Sequence, residues 1–173
     1  MRRVLLLSGL VLLLSTAAYA AGDRSFAVRG IGITFKYSSD FKLVRKLSFQ
    51  KSAGAQAAAR GAVALDDVNL IIVSRYDLRA SVTAAKLPRF KHEIDLVIGK
   101  LAGKRVSGRR VEHGGLPGYE YAIALSRPAN AVSRMVVLFD GATEYLINCQ
   151  STPPRRAALR EACRKALQTI RRK

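Results

Sequence analysis

The chain has 173 residues, with 30 basic and 12 acidic side chains and a formal net charge of +18. Its length suits one domain with a core of ordinary size. Aromatic residues make up 7% of the chain and tryptophan is absent, which argues against a protein that stacks the bases of single-stranded nucleic acid. The P-loop and dinucleotide-binding fingerprints are also missing. Nucleic acid is therefore not an expected partner, and no cofactor is predicted.

The first twenty residues have the pattern of a signal peptide. Two arginines follow the initial methionine, an apolar run extends over 4–14, and Ala18 and Ala20 are the small residues that a signal peptidase reads. We expect cleavage before Ala21, which makes 1–20 the signal peptide and leaves 21–173 as a single domain in the periplasm or outside the cell. The apolar run is shorter than the ~20 residues of a membrane-spanning helix, so no transmembrane segment is expected after processing.

The mature chain remains strongly basic. Removal of Arg2 and Arg3 from the 30 basic residues leaves 28 against 12 acidic ones, a net charge of +16. Such an excess draws a protein towards anionic surfaces. The expected partner is therefore an unknown envelope protein or an anionic surface, and the chain itself is expected to be a monomer. The alternative is a basic surface that serves no ligand.

Strand patterns open the mature chain. Residues 30–37 alternate apolar and polar side chains at period two, which predicts a first strand. After turn residues at 38–40, the stretch 41–50 is predicted to be a second strand, whose apolar face is interrupted by Arg45. Residues 51–61 are small and rich in alanine and are expected to form a loop.

A hairpin and a helix are predicted next. The hairpin covers 61–78, with Asp66 and Asp67 near its turn and a buried second strand. The period then changes, and 84–101 reads as an amphipathic helix. Its regular part is expected to begin close to Lys86, because proline, here at position 88, is tolerated only in the first turn, and a glycine at 103 is placed to end it. The predicted apolar stripe consists of Leu87, Phe90, Ile94, Val97, Ile98 and Leu101.

The second half repeats the order of strands followed by a helix. Turn residues at 114–118 and 140–143 separate neighbouring strand patterns, which indicates an antiparallel meander. Four strands are predicted, within 104–113, 119–125, 133–140 and 143–150. Pro153 and Pro154 then open a second helix that is predicted to run through Arg172, with Thr152 as its candidate N-cap. Its expected inner stripe is Leu159, Cys163, Ala166, Leu167 and Ile170.

This order of elements predicts an α+β fold, in which an antiparallel sheet packs between helices. The stretches GITFKYSSDF, GGLPGYEYAI and EYLINCQST, followed by a helix that ends in ALQTIR, resemble the PsbP-like superfamily. That group includes the PsbP subunit of the photosystem, the yeast Ran-binding Mog protein and exported bacterial proteins. The resemblance covers nearly all of the mature chain. It implies an α/β/α sandwich and a binding or assembly role without enzyme activity, and it transfers no catalytic residue.

The two cysteines of the chain are predicted to form a disulfide. Cys149 shares a face of the last strand with Tyr145 and Ile147, and Cys163 lies on the apolar stripe of the last helix. Both sulfurs meet if that helix packs on the sheet, and exported chains encounter an oxidising environment. A zinc site would need more ligands, and a redox dithiol normally has CxxC spacing. The alternative is a pair of buried free thiols, and no metal site is predicted.

The two histidines do not assemble a recognisable catalytic site. His92 is expected on the polar side of the first helix, three residues before Asp95, and such spacing is common on solvated helix faces. His113 precedes two glycines and lies beside Glu112, but no GxSxG elbow supplies a nucleophile. No catalytic residue is therefore assigned. A hydrolase with an unrecognised site near His113 is kept as an alternative.

The basic residues are the most suggestive functional feature. Two of them, Arg155 and Arg156, fall in the predicted first turn of the last helix, where the helix dipole disfavours positive charge unless an anion binds. The candidate anion-binding set is Lys104, Arg105, Arg109, Arg110, Arg155, Arg156, Arg160 and Arg164. The alternative is a solvated surface. The sequence thus predicts an exported, non-enzymatic accessory protein of the bacterial cell envelope, or else a peripheral binder of anionic lipid or polysaccharide through the last helix.

Overall fold

The computed structural model describes residues 22–45, 57–125 and 128–173. The predicted signal peptide, Ala21 at the start of the predicted mature domain, all of 46–56 and the pair 126–127 lie outside these residues. The elements in the described ranges are β1 (Asp23–Phe26), β2 (Ile33–Ser38), β3 (Lys42–Val44), β4 (Ala59–Ala64), β5 (Leu70–Val82), α1 (Leu87–Ala102), β6 (Arg109–His113), β7 (Leu116–Ala124), β8 (Val132–Ser151), α2 (Arg156–Thr169) and β9 (Arg171–Arg172).

The strands form two antiparallel sheets. The larger sheet has six strands in the order β3-β4-β5-β8-β7-β6, and the smaller has the order β1-β2-β9. The central ladder of the larger sheet joins β5 to β8, with Leu70 opposite Gln150 and Arg75 opposite Tyr145. This pairing joins the first half of the chain to the second at the middle of the sheet.

Strand β8 reverses direction within its own length. Its first part pairs with β7 over Val132 to Leu138, and its second part pairs with β5 from Gly141 onwards. The hydroxyl of Ser133 donates to Oδ1 of Asn148, fifteen residues later, so the two parts lie side by side. The chain turns at Gly141, whose φ is 58°. The predicted turn at 140–143 is therefore present, and β8 contains both of the strands that were expected on either side of it.

Side chains on the two faces of the larger sheet build two cores. On one face, α2 and strand β2 cover Val136, Leu138 and Ile147. On the other face, α1 covers Tyr121, Val137 and neighbouring residues. Consecutive residues of β7 and β8 alternate between these cores, as the two-residue period of a strand requires. The predicted α+β architecture, with an antiparallel sheet between helices, is confirmed.

Helix α1 begins and ends close to its predicted limits. Pro88 lies in its first turn, and Gly103 closes the helix in the left-handed conformation, with φ of 64°. The predicted apolar stripe is only partly correct. Leu87 and Ile98 are buried, whereas Val97 and Leu101 are each 58% exposed, because the helix packs mainly against β7.

Helix α2 is shorter than predicted. A 3₁₀ turn over Pro153–Arg155 precedes it, and the helix ends at Thr169 because Ile170 is extended and leads into β9. Thr152 does not cap the helix with its side chain. Its amide and hydroxyl instead donate to Oδ1 of Asn69, at 2.8 and 3.0 Å, so the first turn is tied to the β4–β5 connection.

The predicted disulfide is present. Cys149 on β8 and Cys163 on α2 are bonded, with their Cα atoms 6.0 Å apart. Both residues are buried. The bond therefore links the last helix to the centre of the larger sheet.

Other expectations from the sequence need correction. The second predicted strand is described only as the short β3, since it leaves the strand conformation at Arg45 and its remainder, 46–50, lies outside the described residues. The alanine-rich stretch was expected to be a loop, yet β4 begins within it at Ala59. A strand was predicted within 104–113, but the observed strand β6 begins only at Arg109, so residues 104–108 are not part of it. No helix in the described ranges is both long and apolar enough to cross a bilayer.

Candidate anion-binding cleft

An open cleft of about 830 Å³ lies where the two sheets meet. The β1–β2 connection forms one wall, and the end of β3 and the start of β4 form another. Strand β5 contributes Arg75, and Lys173 follows β9 into the cleft. Residues from five separate parts of the chain thus converge on one concavity, which we refer to as the cationic cleft.

The charged lining of the cationic cleft has a single sign. No carboxylate side chain is among the described residues that line it. Its cationic residues are Arg29, Arg45, Arg60, Arg75 and Lys173. Converging cations repel one another and create a positive potential, which attracts an anion from solution. The cleft is therefore suited to bind a negatively charged group.

Two of the arginines are held in place by neighbouring groups. Arg75 donates from Nη1 to the carbonyl oxygen of Gly30 at 2.9 Å and from Nη2 to Oδ1 of Asp77 at 2.8 Å. Arg60 donates from Nε to the hydroxyl of Ser74 at 3.0 Å. These contacts reduce the rotamer freedom that each side chain would lose when it binds a ligand.

Arg29 and Arg45, the other two arginines of the cleft, are not held by an acidic partner among the described residues. Both residues are exposed. A guanidinium group presents planar pairs of N–H donors that match a carboxylate or phosphate, so these two side chains are available for direct contact with an anion.

The wall formed by the β1–β2 connection depends on a glycine. Gly32 has φ of 86°, and a Cβ atom added there would lie 2.8 Å from the hydroxyl oxygen of Tyr145. The carbonyl oxygen of Gly32 accepts from the amide of Lys173 at 3.0 Å. Residues other than glycine rarely adopt this backbone conformation. It places the carbonyl group of Gly32 where it binds Lys173, the residue after β9, at the cleft.

Comparison with known proteins supports the fold and not a particular activity. No protein-family model matches the sequence, and no curated protein matches it either. The solved structure of CyanoP, the PsbP protein of Synechocystis sp. PCC 6803, has a TM-score of 0.58 at 9% identity and covers 91% of this chain and 96% of CyanoP. The chain has a PsbP-like fold. The resemblance predicted from the sequence is confirmed at this level.

Two further structures are similar. A protein from Bacteroides thetaiotaomicron has a TM-score of 0.56 at 13% identity, and the match covers 88% of this chain. The chain spans only 49% of the length of that protein. LpqN of Mycobacterium tuberculosis, which is involved in cell envelope biogenesis, has a TM-score of 0.49 at 15% identity, with 86% of this chain and 90% of LpqN covered.

Within this PsbP-like fold, the eight predicted anion-binding residues are divided between different surfaces. Lys104 and Arg105 are exposed after α1, and Arg110 donates to the carbonyl oxygen of Ala84 at 3.3 Å. Arg109 lies on the opposite face of the sheet, 3.3 Å from Glu120. The remaining four belong to α2 and the turn before it. Anion binding by these eight residues stays a prediction.

The arginines at the start of α2 already have partners within the protein. Burial acts to raise the pKa of the Asp66 carboxyl, but hydrogen bonds from Val68 and Asn69 outweigh it and lower the pKa, and the charge of the nearby Arg155 adds to this lowering. Arg156 donates to the carbonyl oxygen of Asn130 at 3.1 Å. Further along α2, Arg160 is exposed, and Arg164 pairs with Glu161 and also donates to Gln168. The positive helix start therefore faces an acidic residue of the same chain.

The structure does not pair His92 with Asp95. His92 is exposed on α1, whereas Asp95 faces the sheet. Its Oδ1 accepts from the hydroxyl of Tyr121 at 2.8 Å and from the amide of Gly108 at 3.0 Å, and its Oδ2 accepts from Lys91 at 2.6 Å. His92 is thus on the solvated side of the helix, as expected, and Asp95 forms a structural junction between α1, the following loop and β7.

His113 is half-buried at the end of β6, outside the cationic cleft. Burial lowers its pKa, whereas the charge of Glu120 and a hydrogen bond with the main chain of Leu167 act to raise it. Its Nε2 is buried without a partner in the described structure. Glu120 itself is bound by Arg134 at 2.8 Å as well as by Arg109. Over the described ranges, no three His, Cys, Asp or Glu residues come together as a metal site.

Sequence reasoning missed the cationic cleft because its residues are far apart along the chain. Arg45 was noted only as an interruption of an apolar face, and Lys173 was not singled out. Arg29, Arg60 and Arg75 formed no motif. Their juxtaposition depends on the pairing of β2 with β9 and of β4 with β5, so the one available sequence signal was a charged residue on an otherwise apolar strand.

Proposed function

We propose that this protein is an exported, non-enzymatic accessory protein of the bacterial cell envelope that binds an anionic envelope component in the cationic cleft. The observation that carries the proposal is the convergence of four arginines and a lysine on one concavity whose described lining includes no acid. A positive potential inside a concave site raises the local concentration of anions.

Export is supported by the leader pattern and by the disulfide. Disulfides form and persist in oxidising compartments such as the periplasm, and both cysteines of the chain are bonded. We expect protein recovered from the periplasm or culture medium of a bacterial host to begin at Ala21. N-terminal sequencing checks this expectation. An uncleaved chain retained in the cytoplasm would contradict it.

The anion-binding role predicts that the cleft binds a compact, multiply charged anion. Inorganic pyrophosphate, titrated into the mature protein by calorimetry at about 0.15 M ionic strength, serves as the probe because simple surface attraction is largely screened there. Replacing Arg29 and Arg45 by serine should weaken binding about tenfold or more, since two charge-assisted hydrogen-bond donors are lost. Both side chains are exposed, so the fold should be unaffected.

A matched variant separates the cleft from the last helix. Replacing Arg155 and Arg160 by serine removes the same charge from the surface that the sequence favoured, and it should change the affinity by less than about twofold. A larger loss in this helix variant would instead support the peripheral binder that uses α2. Equal losses in both variants would attribute binding to net charge alone and contradict the cleft.

A further inference from the structure

We propose that the ligand of the cationic cleft is an amphiphile with a phosphate head group and an apolar tail. This inference rests on the proposed function and specifies the chemical class of its ligand. It follows from the size of the cleft, from the apolar part of its lining and from the type of its cations.

The cleft is larger than a bare anion alone would need. Its volume of about 830 Å³ falls within the range of sites that hold drug-sized molecules, about 300–1,000 Å³. An inorganic phosphate or a short carboxylate would fill a small part of it and leave most of the lining in contact with water. The anionic group is therefore one part of a larger ligand.

Apart from the cations and two glycines, the described lining is aliphatic. Ala27, Val28, Ala58 and Ala59 contribute aliphatic side chains to the lining, and no aromatic ring is among the described residues that line the cleft. Val28 also belongs, with Phe26, to the core that α2 and β2 cover. Small aliphatic side chains provide contact for an alkyl chain, whose burial is favourable in proportion to its apolar area. They provide no ring on which a base could stack.

The cations favour a phosphate head group. Four of the five are arginines, whose forked donors bind phosphate in a bidentate manner. A phosphate monoester has three terminal oxygens and close to two negative charges at neutral pH, so it can engage more than one guanidinium at once. A carboxylate has one charge and two oxygens and would satisfy fewer of these donors.

The test is a calorimetric titration of the mature protein with phosphate monoesters of increasing chain length. Butyl, hexyl and octyl phosphate, each below its micelle concentration, should bind with rising affinity, and octyl phosphate should bind about tenfold or more tightly than inorganic phosphate. Octanoate should bind less tightly than octyl phosphate. Octyl glucoside, which has the same tail and a neutral head, should show no binding under the same conditions.

The variant with serine at positions 29 and 45 should lose octyl phosphate affinity, and the variant with serine at 155 and 160 should keep it. Pyrophosphate binding without any dependence on alkyl chain length would overturn the amphiphile and leave the proposed anion-binding function intact. Absence of binding to every anion would overturn both. Equal binding of octyl glucoside and octyl phosphate would overturn the phosphate head group.

Vesicles distinguish the two sources of such a ligand. Sedimentation with phosphatidic acid vesicles, reversed by octyl phosphate and absent with phosphatidylcholine vesicles, supports a ligand taken from a bilayer. Binding of octyl phosphate with no sedimentation supports a soluble phosphorylated amphiphile. Vesicle binding that the helix variant loses and octyl phosphate does not reverse would contradict the use of the cleft.

Discussion

Replacing Cys149 and Cys163 together by alanine should lower the free energy of unfolding by about 3 kcal/mol. The bond closes a loop with a sequence separation of 14, and in the loop-entropy model a crosslink of this span restricts the unfolded chain by about that amount. For a domain of this size, the melting temperature should fall by about 6–12 °C. Circular dichroism during heating measures the change.

A reducing agent provides the control for this prediction. The wild-type protein should melt at a lower temperature after reduction, close to that of the double alanine variant, and the variant should not respond to reduction. If oxidised and reduced wild-type protein melt at the same temperature, the disulfide does not stabilise the fold. Binding of pyrophosphate at low temperature should persist in the variant, because the cysteines do not line the cationic cleft.

Replacing Asp95 by alanine should also destabilise the protein, by about 3 kcal/mol near neutral pH. The change leaves the buried hydroxyl of Tyr121 and the amide of Gly108 without their acceptor, and each unsatisfied buried group costs about 1–3 kcal/mol. Urea unfolding measures the difference. Glu93→Ala is the matched control, because this acid is exposed on the same helix, and it should change stability by less than about 0.5 kcal/mol.

The effect of Asp95→Ala should depend on pH. Burial alone would raise the pKa of Asp95, but hydrogen bonds from Lys91, Gly108 and Tyr121 outweigh burial and hold it below the ordinary value. A carboxyl group whose pKa is lower in the folded state stabilises the protein above the unfolded pKa of about 3.9. That contribution is lost as the pH falls through the folded pKa. The difference between the proteins should therefore be constant near neutrality and shrink below about pH 4; a difference that stays constant in acid would contradict this origin.

Local sequence signals were sufficient for features that depend on neighbouring residues. Alternation of apolar side chains located β2, and a proline and a glycine located the ends of α1 within a few residues. The disulfide was predictable because Cys149 and Cys163 lie on the inner faces of two consecutive elements. In each case the relevant contacts are made within one element or between adjacent elements.

Features that depend on distant contacts were not predictable from these signals. The exposure of Val97 and Leu101 on α1 reflects how far the helix covers the sheet, which its own periodicity does not specify. The end of α2 at Thr169 results from the pairing of Arg171 and Arg172 with β2, more than 130 residues earlier in the chain. The cationic cleft depends on the same kind of long-range pairing.

The position of β8 has a consequence for the order in which the protein folds. The hairpin of β4 and β5 and the hairpin of β6 and β7 are connected in the larger sheet only through β8, which lies between them. Pairing of β5 with β8 closes a loop of many residues, so it requires a large loss of chain entropy before it gains contacts, and such topologies fold slowly. During synthesis, the two hairpins cannot be joined until β8 has emerged, and we expect assembly of the sheet to await the last part of the chain.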